Sequence, residues 1–166
     1  MFYIFSEGTV QKQQKIAYPP QKGTDIIAMF HEEQWEEIAQ KYHIQYMPLG
    51  EVSKYAYYEC LDGFDFICIN TIDYQNLYGG QRRILFYLEK NCYFIFSDEP
   101  AKWTKIIENI IQTLGEKNTI HRVLADFMTK LIANDMTAFD DLEKEIVELE
   151  QALITTQKRD CVKEII

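Results

Sequence analysis

The chain has 166 residues, a length typical of one domain, and its 47% apolar and 14% aromatic residues are enough for a substantial core. Its net charge of −9 argues against binding to nucleic acid and against docking on anionic lipid, because a protein needs clustered Lys and Arg to bind either of these anions. An acidic surface is compatible with binding cations, although it also simply keeps a protein soluble.

The four cysteines stand at positions 60, 68, 92 and 161 and form no CxxC pair. Those in strands that look buried are expected to be small core residues, in a reducing compartment. Residues 1–5 lack the basic start and the length of a secretory signal. No window of 18 apolar residues exists, so the chain as given is not expected to span a membrane.

The first 45 residues predict two hairpin strands, a third strand and a helix. Residues 2–5 read as a strand with a turn at Glu7-Gly8, and the polar run 11–15 leads to a partner strand at about residues 16–18. Pro19, Pro20 and Gly23 mark a loop before a strand at residues 26–30. A helix follows, because its apolar residues recur on one face, namely Trp35, Ile38, Ala39 and Tyr42.

The centre of the chain is rich in β-forming residues. Strands are predicted at residues 52–60 and 64–72, with Asp62-Gly63 as the turn between them. A second tight hairpin is predicted from residues 84–88 and 92–96. A helix then runs to Leu114 and stops at Gly115, and its buried stripe is expected to be Ile106, Ile107, Ile110, Ile111 and Leu114.

The last third predicts one long helix over residues 119–153, with Thr119 as its N-cap. Its apolar seam recurs at steps close to three and four and suits a neighbouring helix, with Asp135 as a charge within it; the seam consists of Leu124, Phe127, Leu131, Ala138, Leu142, Ile146, Leu149 and Leu153. At ~1.5 Å per residue this helix is about 50 Å long. The chain ends on two isoleucines without a helix-stop signal, so we expect it to be a domain of a longer protein.

No motif for covalent catalysis or nucleotide binding is present. The sequence contains no G-x-S-x-G and no P-loop, and its seven glycines are few for a nucleotide-binding enzyme. The three histidines, His31, His43 and His121, are far apart and form no zinc motif, although residues remote in sequence can still meet in space.

Several strings in this order resemble the cytoplasmic N-terminal domain of the CorA-like divalent-cation transporters. The matching pieces run from about residue 30 to residue 155. They are the helix at 35–44 (WEEIAQKYHI), the strand at 64–70 (FDFICIN), the hairpin at 84–96 (ILFYLEKNCYFIF) and the acidic helix around 139–150 (FDDLEKEIVELE). No single string is specific, and the resemblance rests on their combination.

The resemblance implies an α/β fold, with a central mixed sheet flanked by helices in an α/β/α arrangement and followed by a long amphipathic C-terminal helix of the stalk. It implies an α/β cytoplasmic domain at residues 1–118 and a helical arm at residues 119–166, in a homo-oligomer that is a pentamer in the full-length protein. The family's pore helix and its Gly-Met-Asn signature are not in this sequence, so the membrane would be reached only through segments outside it.

The resemblance also implies regulatory metal sites built from carboxylates between subunits. The matching positions are Asp73, in the loop after the central strand, and Asp135 on the long helix, with Asn134 and Ala133 as neighbouring alternatives. Carboxylate oxygens suit Mg²⁺. From the residues alone, Asp73 is equally well a turn former, and Asp135 a solvent-facing helix charge. Four glutamates of the same helix also have two possible roles, namely Glu143, Glu145, Glu148 and Glu150. They form either an ion-attracting face or the solvated side of an amphipathic helix, which a pair such as Asp140 with Lys144 helps to stabilise.

Three functional hypotheses follow. The first is the cytoplasmic, ion-sensing domain of a CorA-like transporter. This domain would gate the flux of Mg²⁺, Co²⁺, Ni²⁺ or Zn²⁺ across the cell membrane. The second is a free-standing α/β interaction module whose long helix binds a partner. The third is a small α/β enzyme, which the absence of catalytic motifs disfavours. Nucleic acid is not expected as a partner.

Overall fold

The computed structural model describes residues 1–6, 8–44, 46, 55–71, 82–115 and 118–155, and it describes only the backbone of residues 134, 135, 137, 138, 154 and 155. The predicted features at Glu7, at residues 47–54 and 72–81 and at the last eleven residues lie outside this part of the chain. By its internal contacts the chain divides into two units, Met1–Phe127 and Met128–Ile166.

The described part of the first unit contains seven strands, a short 3₁₀ turn, two complete helices and the start of a third. The strands are β1 (Phe2–Ser6), β2 (Thr9–Gln13), β3 (Asp25–His31), β4 (Tyr57–Leu61), β5 (Phe64–Thr71), β6 (Arg82–Glu89) and β7 (Cys92–Ser97). The 3₁₀ turn is Glu32–Gln34, and the helices are α1 (Trp35–Lys41), α2 (Pro100–Leu114) and the long α3 (Ile120–Thr155).

The strands form one mixed sheet in the order β2-β1-β3-β7-β6-β5-β4. All neighbouring pairs are antiparallel except β3 and β7, which run parallel in the register Ile26 with Cys92 through His31 with Ser97. The parallel pair lies in the middle of the sheet, where both of its faces are covered. This position explains why β7 is buried along its whole length.

The predicted partner strand at residues 16–18 is wrong. Strand β2 is instead Thr9–Gln13, so the polar run itself pairs with β1, from Ser6 with Thr9 to Phe2 with Gln13. The physical reason is that β2 is an exposed edge strand, which needs no apolar face and tolerates Lys and Gln along its length.

The two other predicted hairpins are confirmed, with shifted ends. Asp62 and Gly63 form a two-residue turn between β4 and β5, and Gly63 has the positive φ of 91° that such turns require. Strand β6 begins at Arg82, two residues earlier than predicted, and β7 extends one residue further, to Ser97. Strand β4 ends one residue later than predicted, at Leu61.

Aromatic side chains fill the layer between the sheet and α1. Phe94 is fully buried at its centre, and its ring centroid lies 5.1 Å from that of Tyr42 and 5.7 Å from that of Phe30. Trp35 of α1 contacts the rings of Phe66 and Phe96 at 5.7 and 4.6 Å. Alternate residues of β3, β5, β6 and β7 therefore belong to the same core cluster as the buried residues of α1, as the period of two requires.

The opposite face of the sheet packs against α2 and the first residues of α3. Phe127 is fully buried, with ring centroids 6.1 Å from Phe86 of the sheet and 6.0 Å from Trp103 of α2. The side chain of Thr119 accepts the backbone N–H of Arg122, so the predicted N-cap is confirmed. Helices on both faces confirm the predicted α/β/α arrangement.

Helix α2 buries a narrower stripe than the sequence predicts. Its buried residues are Trp103, Ile107 and Ile110, whereas Ile106, Ile111 and Leu114 are half-buried. The helix ends at Gly115, which has a φ of 55° and donates its N–H to the carbonyl of Ile111. Asn118 then donates to the carbonyl of Gly115, which the helix end leaves free, and adds a second hydrogen bond to the carbonyl of Ile111.

Candidate functional site

Three strands of the sheet end at the same edge. Strand β5 runs parallel to β7 because both are antiparallel to β6, and β3 is also parallel to β7. In open α/β sheets the carboxyl ends of such strands are where binding sites most often form. We call this region the carboxyl edge, and it consists of His31, Glu32, Thr71, Arg82, Arg83, Ser97, Asp98 and Glu99.

Two arginines pair with acids across the carboxyl edge. The Arg82 Nη1 atom lies 2.6 Å from Glu99 Oε2, and its Nε lies 3.8 Å from Asp98 Oδ2. Arg83 Nε donates to Glu32 Oε1 at 2.6 Å. Both arginines are half-buried, and they tie the start of β6 to the start of α2 and to the 3₁₀ turn.

A buried serine fixes the turn from β7 into α2. Ser97 Oγ accepts the indole N–H of Trp103 at 2.9 Å and the backbone N–H of Glu99 at 3.1 Å, and it donates to Asp98 Oδ1 at 3.2 Å. Pro100 follows at the first helical position, which suits a residue without an N–H. The acidic pair Asp98 and Glu99 is consequently held in a defined position beside Arg82.

The Glu99 carboxylate makes the carboxyl edge sensitive to acid. Burial acts to raise its pKa, but hydrogen bonds from Arg82 and Lys102 outweigh burial and hold the pKa below its ordinary value of 4.5. A carboxyl whose pKa is lowered by folding contributes stability above the pKa of the unfolded chain, and this contribution is lost as the pH falls through the folded pKa.

We expect Glu99→Gln to flatten the acid side of the stability profile. The urea midpoint of the wild-type chain should fall between about pH 5 and pH 3, and that of the variant should fall less. The control is Glu36→Gln, which changes an exposed glutamate on α1. Parallel profiles for the wild type and Glu99→Gln would show that the ion pairs of this glutamate do not stabilise the fold.

The structure does not describe the side chain of either predicted metal-site residue. Asp73 lies outside them, in the segment that joins Thr71 to Arg82, two residues that pair with each other at the carboxyl edge. Asp135 lies on α3, where the structure describes its backbone and not its side chain. Their role as ligands therefore stays a prediction.

Among the other described side chains of the types that bind metals, two histidines and one aspartate make contacts within the fold. Within the described ranges, no group of three or more His, Cys, Asp and Glu is placed to hold a metal ion. His31 Nδ1 accepts the N–H of Glu33 at the start of the 3₁₀ turn, and His121 Nδ1 lies 2.7 Å from the hydroxyl of Tyr93. Lys144 pairs with Asp141 at 3.0 Å rather than with the predicted Asp140.

The thiol of Cys92 lines a cavity of about 550 Å³, next to Tyr18 and Glu89. Burial, followed by the nearby carboxylates of Glu89 and Asp25, raises its pKa to about 12. A thiol with this pKa is not a thiolate at neutral pH and is a poor nucleophile. Cys68 is also buried, which agrees with the prediction for cysteines in buried strands, whereas Cys60 on the edge strand β4 is exposed.

No helix in the part of the chain that the structure describes is long and apolar enough to cross a lipid bilayer.

The fold and the carboxyl edge together define a three-layer α/β domain that continues into a long, acidic, amphipathic helix. The family model described as "CorA-like Mg2+ transporter protein" matches residues 29–166. The chain therefore belongs to the CorA-like Mg²⁺ transporter family, and the resemblance seen in the sequence is confirmed. A comparison with curated proteins finds no match.

Solved structures share the fold at low sequence identity. The complete CorA magnesium transporter from Methanocaldococcus jannaschii matches with a TM-score of 0.69 and 15% identity, over 99% of this chain and 55% of that one. The soluble domain of CorA from the same organism matches with a TM-score of 0.61 and 15% identity, over 99% and 69%. The full-length CmaX protein matches with a TM-score of 0.63 and 10% identity, over 95% and 52%. The chain thus spans about half the length of the two full-length proteins.

Proposed function

We propose that this chain is the cytoplasmic, ion-sensing domain of a CorA-like transporter and that it gates the flux of Mg²⁺, or of Co²⁺, Ni²⁺ or Zn²⁺, across the cell membrane. The observation that carries the proposal is the family match, which covers residues 29–166 and so includes α1, strands β4 to β7, α2 and α3. The chain acts as a regulatory domain and not as an enzyme. Its α/β part is residues 1–118 and its helical arm is residues 119–166.

The proposed mechanism is differential cation binding between subunits. Asp73 and Asp135 supply carboxylate oxygens, which are the donors that Mg²⁺ prefers. When adjacent subunits of the homo-oligomer, a pentamer, place such carboxylates together, their repulsion opposes the closed assembly. A bound cation offsets that repulsion and favours the closed state, and loss of the cation favours opening. The membrane is reached through other segments of the full-length protein.

Thermal stability in the presence of Mg²⁺ tests this proposal. A ligand that binds only the folded chain stabilises it by about 2.7 kcal/mol at 100 times its dissociation constant, so the melting temperature should rise with millimolar Mg²⁺. Na⁺ at equal ionic strength is the control, because it reproduces general screening of the −9 charge. Equal melting curves in Mg²⁺ and in Na⁺ would leave the chain without a cation-sensing role.

A further inference from the structure

The cavity of about 550 Å³ lies between the loop that precedes β3 and the turn that joins β6 to β7. We call it the loop cavity, and it is lined by residues 18–23 of the loop and residues 89–92 of the turn. Small-molecule sites in proteins usually have volumes of about 300–1,000 Å³, so the loop cavity is large enough for a ligand. It lies where β3 and β7 begin, whereas the carboxyl edge lies where they end, so the two regions are separate.

Hydrogen bonds hold the two walls of the loop cavity together. Asn91 in the turn donates its side-chain amide to Asp25 Oδ1, just after the loop, at 2.6 Å. Tyr18 in the loop donates its hydroxyl to Glu89 Oε2 at 2.8 Å, and its ring centroid lies 5.3 Å from that of Tyr42 in the core. Both walls are therefore fixed in the free chain, so a ligand does not have to order them on binding.

Glu89 presents a carboxylate oxygen that lacks a donor. The hydroxyls of Tyr18 and Tyr87 both donate to Oε2, at 2.8 and 3.2 Å. Oε1 accepts no hydrogen bond from the residues that the structure describes. Glu89 is half-buried, and an oxygen at such a position gains from a donor. An ammonium group suits it best, because hydrogen bonds between charged partners are the stronger ones.

Two lysines bring positive charge to the same cavity. Lys22 lines it from the loop and Lys90 from the turn, and both side chains are exposed. Within the described ranges neither lysine makes an ion pair, whereas Lys12, Lys102 and Lys144 each pair with an acidic residue. In a chain of net charge −9, two unpaired lysines on opposite walls of one cavity form a local positive region that suits an anion.

The rest of the lining is largely apolar. It includes the ring of Tyr18 and the rings of Pro19 and Pro20. The buried thiol of Cys92 has its pKa raised to about 12, so it is neutral at ordinary pH and acts as a small apolar group. Such surfaces pack well against a flat ring.

We propose that the loop cavity binds a small aromatic molecule with an amino group at one end and a carboxylate or phosphate group at the other. The amino group donates to Glu89 Oε1, and the anionic group pairs with Lys22 and Lys90. The aromatic ring packs between them on Tyr18 and the two prolines. This binding needs no metal ion and does not depend on the proposed function.

Three matched probes test the inference directly. The compound para-(aminomethyl)benzoate carries both charged groups on one ring, para-methylbenzoate lacks the amino group, and para-methylbenzylamine lacks the carboxylate. Titration followed by heteronuclear NMR should show saturable binding of para-(aminomethyl)benzoate, with shifts of amide signals from residues 18–23 and 89–92. Each of the other two probes should bind at least about tenfold more weakly, a difference of about 1.4 kcal/mol.

Variants of the chain locate the binding groups. Glu89→Gln keeps an acceptor for the tyrosine hydroxyls but removes the negative charge, so it should weaken binding of para-(aminomethyl)benzoate by at least about tenfold. Lys22→Gln with Lys90→Gln should weaken it by at least about fivefold. The control of equal charge is Lys15→Gln with Lys105→Gln, two exposed lysines outside the loop cavity, and it should change binding by less than about twofold. Melting curves check that each variant folds.

Three outcomes would overturn the inference. The first is no saturable binding of para-(aminomethyl)benzoate to the wild-type chain, and the second is an equal affinity for either one-charge probe. The third is an equal effect of the two pairs of lysine substitutions, which would place the probe elsewhere on the surface. The lysine variants keep the test decisive even if Glu89→Gln fails to fold, because they change only exposed side chains. Selective weakening by Lys22→Gln with Lys90→Gln supports the inference.

Discussion

Replacing Phe94 with alanine is expected to destabilise the fold by about 3–5 kcal/mol. Phe94 is fully buried in β7 and contacts the rings of Tyr42 and Phe30 at 5.1 and 5.7 Å, and those of Tyr87 and Tyr18 at 6.3 and 6.4 Å. Alanine would remove the transfer free energy of the ring and leave a cavity between the sheet and α1. Because domains are stable by only about 5–15 kcal/mol, this loss is a large part of the total.

Urea unfolding followed by circular dichroism measures the effect. The matched control is Tyr58→Ala on the edge strand β4, whose side chain is 59% exposed. It should cost less than about 1 kcal/mol, the full range of β-propensity. Should Phe94→Ala cost no more than this control, the packed layer between the sheet and α1 would not be the main core of the domain.

Strands with a strong apolar pattern were predictable from the sequence. Strands β5 and β7 are continuous runs of β-branched and aromatic residues bounded by turn signals, and both were found within one residue of their ends. Strand β2 was missed because an exposed edge strand carries no apolar pattern. The parallel pairing of β3 with β7 joins residues more than sixty positions apart, and no local pattern reports such a contact.

The candidate site was predicted less well than the fold. The ion pairs of Arg82 and Arg83 were not predictable, because their partners, Glu99 and Glu32, come from other elements. The predicted helix seam passed through Phe127, whose ring instead packs against the sheet and α2. The prediction that Asp73 and Asp135 are metal ligands rests on the family resemblance alone, because a ligand set shared between subunits leaves no pattern in the sequence of one chain.

The second large effect is expected at Asp73. If this carboxylate is a ligand of the regulatory cation, Asp73→Asn removes a negative charge and one strong acceptor, and Mg²⁺ affinity should fall by at least about tenfold, or about 1.4 kcal/mol. Asp135→Asn should act in the same direction. The control is Asp140→Asn, an exposed aspartate on the same helix, which keeps the net charge of the variants equal.

Isothermal titration calorimetry of Mg²⁺ into the chain is the most direct test of the proposed sensing role. We predict saturable binding to the wild-type chain and to Asp140→Asn, and binding at least about tenfold weaker to Asp73→Asn. The contradicting result is either no saturable binding to the wild-type chain or equal affinity of the wild type and Asp73→Asn. In either case, the regulatory cation site would not include Asp73.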